Sequence, residues 1–327
     1  EERINSNYSL APIANRLSEL LNGLPVEFLT WRVDQYINEI IQATEKRQIV
    51  LLENIRFYPE EEKNDQEFSE KLAQLANIYV DDAFGSIHRE HSSIVGVTKF
   101  LPSYAGLLLQ KELNTLGKII NSPSRPITVI IGGAKISTKI KFIQKFLSWA
   151  DNVLLGGALA NTLLYAQGMS VGKSVYEKDI DSEKMKTVEV TNPKLHLPID
   201  AIASEDKTGQ KDIKIVPVGR IENNQLILDI GRDTQELFKS IINASATVIW
   251  NGPMGYYESP IFAQGTGFVA RAIAESEVFS VIGGGETIDF INKIGLLRSF
   301  SYVSTGGGAM LRFLTGEKLV GVEALKQ

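Results

Sequence analysis

The sequence predicts an α/β protein with two domains, each built on a parallel sheet that helices cover on both faces. Strand-like apolar segments alternate with helix-like amphipathic segments along the whole chain, a pattern typical of parallel sheets. In the second half, five such strands run into glycine-rich turns. The chain has 327 residues, whereas a single domain usually has roughly 100–200. Length and pattern therefore agree on two domains.

The composition excludes several classes of protein. Hydrophobic residues make up 43% and charged residues 22% of the chain, which is typical of an ordered globular protein. The absence of cysteine excludes disulfides, iron–sulfur clusters, thiolate zinc sites and a cysteine nucleophile. The net charge of −5 gives no indication of nucleic-acid binding. No apolar run reaches the roughly 18 residues that a membrane span needs, so we expect neither nucleic acid nor membrane as a partner.

The first half contains short strands separated by helices. The apolar periodicity predicts helices over 9–21, 34–43 and 66–76 and strands over 26–29, 48–53 and 78–81. Ser9 is expected to cap the first helix, because a serine hydroxyl can accept a backbone N–H at that position.

A longer amphipathic segment predicts one helix that connects the two domains. Leu109, Leu113 and Leu116 lie on one face of it, and the stretch Asn121-Ser122-Pro123-Ser124 ends it. The predicted division is an N-terminal domain over 1–103, an interdomain helix over 104–121, a second domain over 122–312 and a tail over 313–327.

Glycine-rich turns at the ends of the later strands are the strongest functional signal. These turns are Gly132-Gly133-Ala134-Lys135, Gly156-Gly157-Ala158, Asn251-Gly252-Pro253-Met254-Gly255, Gly283-Gly284-Gly285-Glu286-Thr287 and Thr305-Gly306-Gly307-Gly308. In a parallel sheet the carboxyl ends of the strands share the edge at which ligands bind. Glycine lets the backbone approach an anion closely, and the start of the next helix adds positive charge. One such turn is an ordinary structural need, but five predict a phosphate-lined cleft.

Lys135 and Lys139 lie four residues apart near the predicted start of a helix. Like charges at this spacing repel, and positive charge at a helix N-terminus is unfavourable, each effect costing a few tenths of a kcal/mol. A bound polyphosphate would reverse both effects. Two solvated lysines are the alternative, and the preceding Gly132-Gly133 favours phosphate.

Three further charged residues each have two open interpretations. Arg56 follows a predicted strand and either clamps an anion or pairs with the acidic residues at 60–62. Glu258 and Glu286 lie in or just after glycine-rich turns. A carboxylate there either binds Mg²⁺ or a ribose hydroxyl, or it stabilises the start of a helix.

Together these motifs resemble those of the phosphoglycerate kinase family. The matching segments are Leu51-Leu52-Glu53-Asn54-Ile55-Arg56-Phe57-Tyr58-Pro59-Glu60-Glu61, Asp82-Ala83-Phe84-Gly85 with His88-Arg89, Phe100-Leu101-Pro102-Ser103-Tyr104-Ala105-Gly106, Gly132-Gly133-Ala134-Lys135, Trp250-Asn251-Gly252-Pro253-Met254-Gly255, Gly283-Gly284-Gly285 and Ser304-Thr305-Gly306-Gly307-Gly308-Ala309. They occur in the same order from about Tyr8 to the C-terminus, which makes the resemblance far more specific than a single glycine-rich turn.

The resemblance implies phosphoryl transfer between 1,3-bisphosphoglycerate and ADP, giving 3-phosphoglycerate and ATP in glycolysis, with Mg²⁺. It implies two Rossmann-like lobes with parallel sheets that are joined by the interdomain helix and close like a hinge. The N-terminal lobe would hold the glycerate substrate, the C-terminal lobe the nucleotide, and the tail would pack on the N-terminal lobe. A cytoplasmic monomer is also implied.

The resemblance also assigns roles to residues of this sequence. Arg56 and Arg89 would bind the phosphate of the glycerate substrate, and Glu286 would hold the metal. The implied nucleotide contacts are Gly133, Lys135, Lys139, Asn251, Glu258, Gly284, Gly285, Glu286 and Thr287. The groups implied to act on the transferring phosphoryl are Lys135, Lys139, Gly285 and Gly307.

Three departures from the family pattern lead to alternatives. Glu286 stands where an aspartate is usual, and Ala158 where a third glycine is usual. The family's leading segment, which resembles Arg-Val-Asp-Phe-Asn-Val-Pro and Ser-His-Leu-Gly-Arg-Pro, has no match, so we expect this chain to be an incomplete record of the enzyme. The alternative is a nucleotide-binding fragment without catalysis. A nicotinamide-dependent dehydrogenase is disfavoured, because no strand is followed by a complete G-x-G-x-x-G.

Overall fold

The computed structural model describes residues 5–30, 41, 49–134, 136–178 and 188–326. The chain divides into two compact units, Glu1–Lys111 with Lys318–Gln327 and Glu112–Glu317. In the described part of the chain, no helix has the length and apolar character that crossing a membrane requires. The helix predicted over 34–43 falls almost wholly outside the described residues, and Lys135 lies outside them.

The first unit contains two separate pairs of parallel strands with helices around them. Its strands are β1 (Val26–Leu29), β2 (Ile49–Leu52), β3 (Tyr79–Asp81) and β4 (Ser103–Ala105), and its first helices are α1 (Ala11–Leu20), α2 (Pro59–Glu62) and α3 (Gln66–Ala73). β1 pairs with β2 and β3 pairs with β4, both in parallel. The C-terminal helix Val320–Ala324 belongs to this unit, and its Gly321 N–H donates to the Ile87 carbonyl over 2.9 Å.

The first helix begins at Ala11, and a carboxylate rather than Ser9 supplies the main acceptor at its start. Glu53 accepts the Leu10 N–H over 2.8 Å and the Ser9 hydroxyl over 2.7 Å. The Ser9 hydroxyl receives only a long bond of 3.3 Å from the Ala11 N–H. The prediction that Ser9 caps the helix is therefore wrong. Leu10 is the N-cap residue, and its N–H donates to Glu53, which is distant in sequence.

The second unit is built on a six-stranded parallel sheet. Its strands are β5 (Ile127–Ile131), β6 (Asn152–Leu155), β7 (Leu195–His196), β11 (Thr247–Asn251), β12 (Phe279–Gly283) and β13 (Tyr302–Val303), in the order β13-β12-β11-β5-β6-β7. Every neighbouring pair is parallel. The carboxyl ends of the five glycine-terminated strands consequently lie at one edge of this sheet, as the sequence predicts.

Helices follow five strands of this sheet, as expected for an α/β unit: α5 (Ile140–Trp149), α6 (Gly157–Ala166), α8 (Gln264–Ala274), α9 (Gly285–Lys293) and α10 (Gly307–Leu314). Two more helices precede strands: α4 (Leu107–Asn121) before β5, with its first residues in the first unit, and α7 (Arg232–Asn243) before β11. The core lies under the central strands β5 and β11, all of whose residues are buried. Trp250 is fully buried there in one cluster with Phe238 and Ile273, and its indole N–H donates to the Gly252 carbonyl over 2.8 Å. Trp250, the largest fully buried side chain, thus also forms a hydrogen bond to the glycine turn after β11.

A small antiparallel sheet accompanies the parallel one. It contains β8 (Asp200–Ser204), β9 (Lys214–Pro217) and β10 (Leu226–Ile230) in the order β10-β8-β9. This sheet was not predicted from the sequence. The sheet matters for function because several of its apolar side chains line the cavity of the second unit.

Candidate active site

Two glycine turns interlock at the carboxyl ends of β5 and β11. Gly132 donates its N–H to the Asn251 carbonyl over 2.9 Å, and Gly133 donates to the Pro253 carbonyl over 3.0 Å. A Cβ added at Gly132 would lie 1.9 Å from the Pro253 carbonyl oxygen. Gly252 has a φ of +96°, and a Cβ there would lie 2.3 Å from the Gly132 oxygen. Only glycine fits either position, so close backbone packing itself requires part of this glycine pattern.

The turns after β12 and β13 pack on each other in the same way. A Cβ at Gly307 would lie 2.8 Å from the Gly284 Cα. The Asn251 side-chain amide donates to the Gly283 carbonyl over 2.9 Å, and the Thr287 hydroxyl accepts the Gly252 N–H over 2.8 Å. Both of these side chains are buried, so in the structure they tie the turns together.

Three helices begin at this edge on glycine. α6, α9 and α10 have Gly156, Gly284 and Gly306 at their N-caps, and no described side chain caps them. The first N–H groups of a helix have no partner within the helix, and they favour an anion. The predicted residues Gly285 and Gly307 are the first residues of α9 and α10.

A cavity of about 260 Å³ lies within the second unit. Gly133, Gly157, Glu258 and Glu286 contribute to its lining. Its apolar lining residues include Leu164, Val175, Val218, Ile227 and Met254. Glycine backbone, carboxylates and an apolar wall are thus combined around one space, which suits a ligand with both a flat apolar part and an anionic part.

Lys139 brings a positive charge to the Gly132-Gly133 turn. Its ammonium donates to the Gly132 carbonyl over 2.6 Å. Burial lowers the pKa of Lys139 to about 8, and the charge of Glu286 opposes that shift. A half-buried cation of this kind is well placed to gain energy from an incoming anion.

The helix that carries this lysine starts later than the sequence predicts. α5 begins at Ile140, with Lys139 at the N-cap, rather than directly after the glycine turn. Residues 136–139 form a turn in which Ile136 accepts the N–H groups of Lys139 and Ile140 over 2.7 and 2.8 Å. This turn lies between Gly132 and Lys139, and the Lys139 ammonium reaches back across it to the Gly132 carbonyl.

Known proteins with similar sequences and a similar fold identify the family. The family model for phosphoglycerate kinase matches residues 1–317. The chain belongs to the phosphoglycerate kinase family. A phosphoglycerate kinase of Pelotomaculum thermopropionicum is 44% identical over 99% of this chain and 83% of its own. That of Gloeobacter violaceus is 46% identical over 97% of this chain and 81% of its own.

A solved structure agrees with the family assignment. The phosphoglycerate kinase of Pyrococcus horikoshii superposes with a TM-score of 0.85 at 31% identity, covering 97% of this chain and 82% of its own. The chain is thus a glycolytic phosphotransferase that acts on ATP or ADP and a phosphoglycerate. Because the match extends over nearly the whole chain, the non-catalytic alternative is not favoured.

The two arginines predicted to bind the glycerate substrate, Arg56 and Arg89, lie in the first unit. Arg56 forms an ion pair with Glu62, with 2.9 Å between Nη1 and Oε1, which is the pairing that the sequence left open. Arg89 is exposed. Burial lowers the pKa of His91. The positive charges of Arg56 and Arg89 lower this pKa further, whereas the negative charge of Glu61 raises it. The charges of both arginines thus act in the same direction on one imidazole.

The only predicted metal ligand is Glu286, in the first turn of α9. Among the residues that the structure describes, no three His, Asp or Glu side chains form a group able to hold a metal ion. Mg²⁺ is commonly held by one or two carboxylates together with substrate phosphates and water. Glu286 is an exposed carboxylate in the cavity lining, which fits that kind of site.

Two carboxylates were not predicted from the sequence, one bonded to the turn after β13 and one in the cavity lining. Glu112 is fully buried and lies in the apolar stripe between Leu109 and Leu116. A charged residue within such a stripe was a detectable sign that it has a buried partner. Asp229 lines the cavity and accepts the N–H groups of Ile230 and Gly265 over 2.9 and 2.6 Å. No sequence pattern indicates the second partner, because Gly265 is distant along the chain.

Proposed function

We propose that the second unit binds ADP or ATP in the cavity, with the phosphates against the glycine turns and the base against the apolar wall. The observation that supports this is the lining of one cavity by Gly133, Gly157 and Glu286 together with apolar side chains. We further propose that Arg56 and Arg89 bind the phosphate of 3-phosphoglycerate through charge-assisted hydrogen bonds.

The proposed roles follow from what in-line phosphoryl transfer needs, namely positioning and neutralisation of charge. Lys139 would donate its ammonium to the nucleotide phosphates, and Lys135 would add a second charge. Gly285 and Gly307 would present backbone N–H groups at the starts of α9 and α10, where charge on the transferring phosphoryl is stabilised. Glu258 would accept from the ribose hydroxyls.

Other predicted nucleotide contacts would act through the shape of the turns. Asn251 and Thr287 fix the carbonyl of Gly283 and the N–H of Gly252, so they would hold Gly284 and its neighbours where a phosphate could approach. In this proposal the buried side chains orient backbone donors, which is how a rigid site avoids reorganisation during the reaction.

Glu286 would hold Mg²⁺ together with the nucleotide phosphates. When bound, the ion supplies positive charge that neutralises the phosphate oxygens. The resemblance also predicts a monomer in the cytoplasm, and sedimentation of the purified protein would test the first of these predictions.

Filling the cavity tests the proposal. Ala158→Phe adds a ring to the cavity lining at the start of α6, whereas Ala166→Phe adds the same ring at the exposed end of that helix. We expect the first variant to bind ADP at least tenfold more weakly by calorimetry, with 3-phosphoglycerate binding unchanged. The second variant should match the wild type. Normal ADP binding by Ala158→Phe would contradict the proposed location.

A further inference from the structure

Glu177 uses both of its carboxylate oxygens on a single residue of the lysine-bearing turn. Its Oε2 accepts the Ser137 N–H over 2.7 Å, and its Oε1 accepts the Ser137 hydroxyl over 2.7 Å. Ser137 lies two residues before Lys139. Charge-assisted hydrogen bonds of this bidentate kind fix orientation as well as distance.

The other side of Glu177 is fixed by helix α6. Its backbone N–H donates to the Thr162 hydroxyl over 3.2 Å, and Thr162 is buried and in turn donates to the Ala158 carbonyl over 2.9 Å. Nearby, the Asn161 amide donates to the Val175 carbonyl over 3.2 Å. Glu177 is therefore anchored on the helix that starts at the cavity, and it extends from there to the turn.

The turn needs such a support for an electrostatic reason. Lys139 is the N-cap residue of α5 and its side chain makes no capping bond, so a cation stands where a helix favours an anion. The Glu177 carboxylate accepts from Ser137, two residues before this N-cap, and so brings negative charge close to the helix start.

We propose that Glu177 is a positioning residue for phosphoryl transfer, holding Ser137 so that the turn presents Lys139 to the nucleotide phosphates. The inference rests on the proposed role of Lys139 and adds a residue outside the set that the sequence indicated. Glu177 touches neither substrate in this proposal and acts through the turn alone.

A double-mutant cycle between Glu177 and Ser137 tests the proposal. Glu177→Ala removes both bonds and should lower kcat/KM for the nucleotide at least tenfold. Ser137→Ala removes only the hydroxyl bond and should have a smaller effect, and Glu177→Gln, which keeps one acceptor, should be intermediate. The double alanine variant should be no worse than Glu177→Ala, since the two residues act through the same contact.

Two readouts separate positioning from general structural damage. The KM for 3-phosphoglycerate should stay within twofold of the wild type in every variant, and Glu236→Ala, an exposed carboxylate on α7, should resemble the wild type throughout. The Ser137 amide should exchange with deuterium at least tenfold faster in Glu177→Ala without any substrate. Equal losses for both substrates, or additive effects in the double variant, would overturn the proposal.

ADP binding and Ser137 exchange together distinguish a missing nucleotide site from a missing Glu177 contact. Loss of the proposed nucleotide site as a whole would show as absent ADP binding in the wild-type protein. Failure of the Glu177 contact would show as unchanged Ser137 exchange and unchanged nucleotide kinetics in Glu177→Ala, whatever the wild type binds.

Discussion

Glu112 holds Thr305 by two hydrogen bonds to one carboxylate oxygen, over 2.6 Å from the backbone N–H and 2.9 Å from the hydroxyl. Glu112 lies on α4 and is fully buried, and Thr305 opens the turn whose Gly307 begins α10. Burial raises the pKa of Tyr302, and the negative charge of Glu112 raises it further. The connecting helix is thereby linked to the last glycine turn through one side chain.

Removing the Glu112 carboxylate should weaken both stability and turnover. A hydrogen bond to a charged group contributes about 1.5–3 kcal/mol, so Glu112→Ala should lower the unfolding free energy by about that amount or more. Its kcat should fall because the 305–308 turn loses its anchor. Glu112→Gln keeps one acceptor and should lose less in denaturant titrations and in turnover. Equal losses in the two variants would contradict this account.

Lys139→Ala should depress turnover at least tenfold, because it removes the positive charge that would stabilise the transferring phosphoryl group. Burial lowers the pKa of Lys139 from 10.5 to about 8. The free enzyme therefore loses this charge as the pH rises through about 8, and kcat/KM for the nucleotide should fall there. Lys139→Arg, which stays charged, should lack that alkaline decline. A pH profile of the three proteins measures it, and identical profiles would exclude the role.

Arg56→Ala should raise the KM for 3-phosphoglycerate at least tenfold, because a charged ligand for its phosphate is lost. The Arg56–Glu62 ion pair is partly exposed, with side chains 35% and 60% accessible, and such pairs contribute only about 0–1 kcal/mol. The unfolding free energy should therefore change little. Glu62→Gln serves as the matched variant, since it breaks the same pair but leaves the guanidinium available to substrate. A raised KM in both variants would mean that the pair, not the substrate contact, matters.

Glu286→Gln should increase the Mg²⁺ concentration needed for half-maximal turnover. The amide keeps the size of the side chain but lacks the negative charge that Mg²⁺ prefers. Glu286→Asp keeps the charge and should retain most of the metal response. Magnesium titrations at fixed nucleotide compare the three proteins, and superimposable curves would remove Glu286 from the metal site.

Asp229 should make stability fall as the pH rises over part of the acid range. Burial raises the pKa of Asp229 from 3.8 to about 7, although the Gly265 and Ile230 N–H groups oppose the shift. Between those values the folded state keeps a proton that the unfolded state has released, so the unfolding free energy declines as pH increases. The slope cannot exceed about 1.4 kcal/mol per pH unit for one group.

The difference between wild type and Asp229→Asn isolates this group from the other carboxylates. The variant has no proton to release there, so the stability difference between the two proteins should change from about pH 4 to pH 7 and then level off. Urea titrations across that range provide the measurement. A difference independent of pH would show that Asp229 does not titrate with a raised pKa.

The local sequence carried the α/β class and the placement of the glycine turns. Strands β5 and β11 are continuous apolar runs, and glycine at positions such as 132 and 252 marks a backbone approach that a Cβ would block. These features depend on neighbours along the chain or on backbone sterics, so periodicity and residue type are sufficient to find them.

Contacts between distant segments could not be predicted from periodicity and residue type. Glu53 replaces Ser9 as the acceptor at the first helix, and α5 starts at Ile140 beside a lysine side chain that folds back on Gly132. The Glu53 contact at the first helix joins residues more than forty positions apart, and the Lys139 contact depends on a backbone turn before α5. Propensity alone contains no information about these contacts.

The sequence by itself thus determined which residue types gather at the carboxyl edge of a parallel sheet, because strand direction and glycine spacing are local properties. Only the tertiary structure decided which side chains support that edge. Glu112 with Thr305, and Glu177 with Ser137, are each separated by many residues along the chain. The energy of a buried or bidentate carboxylate depends on donors that folding alone brings within reach.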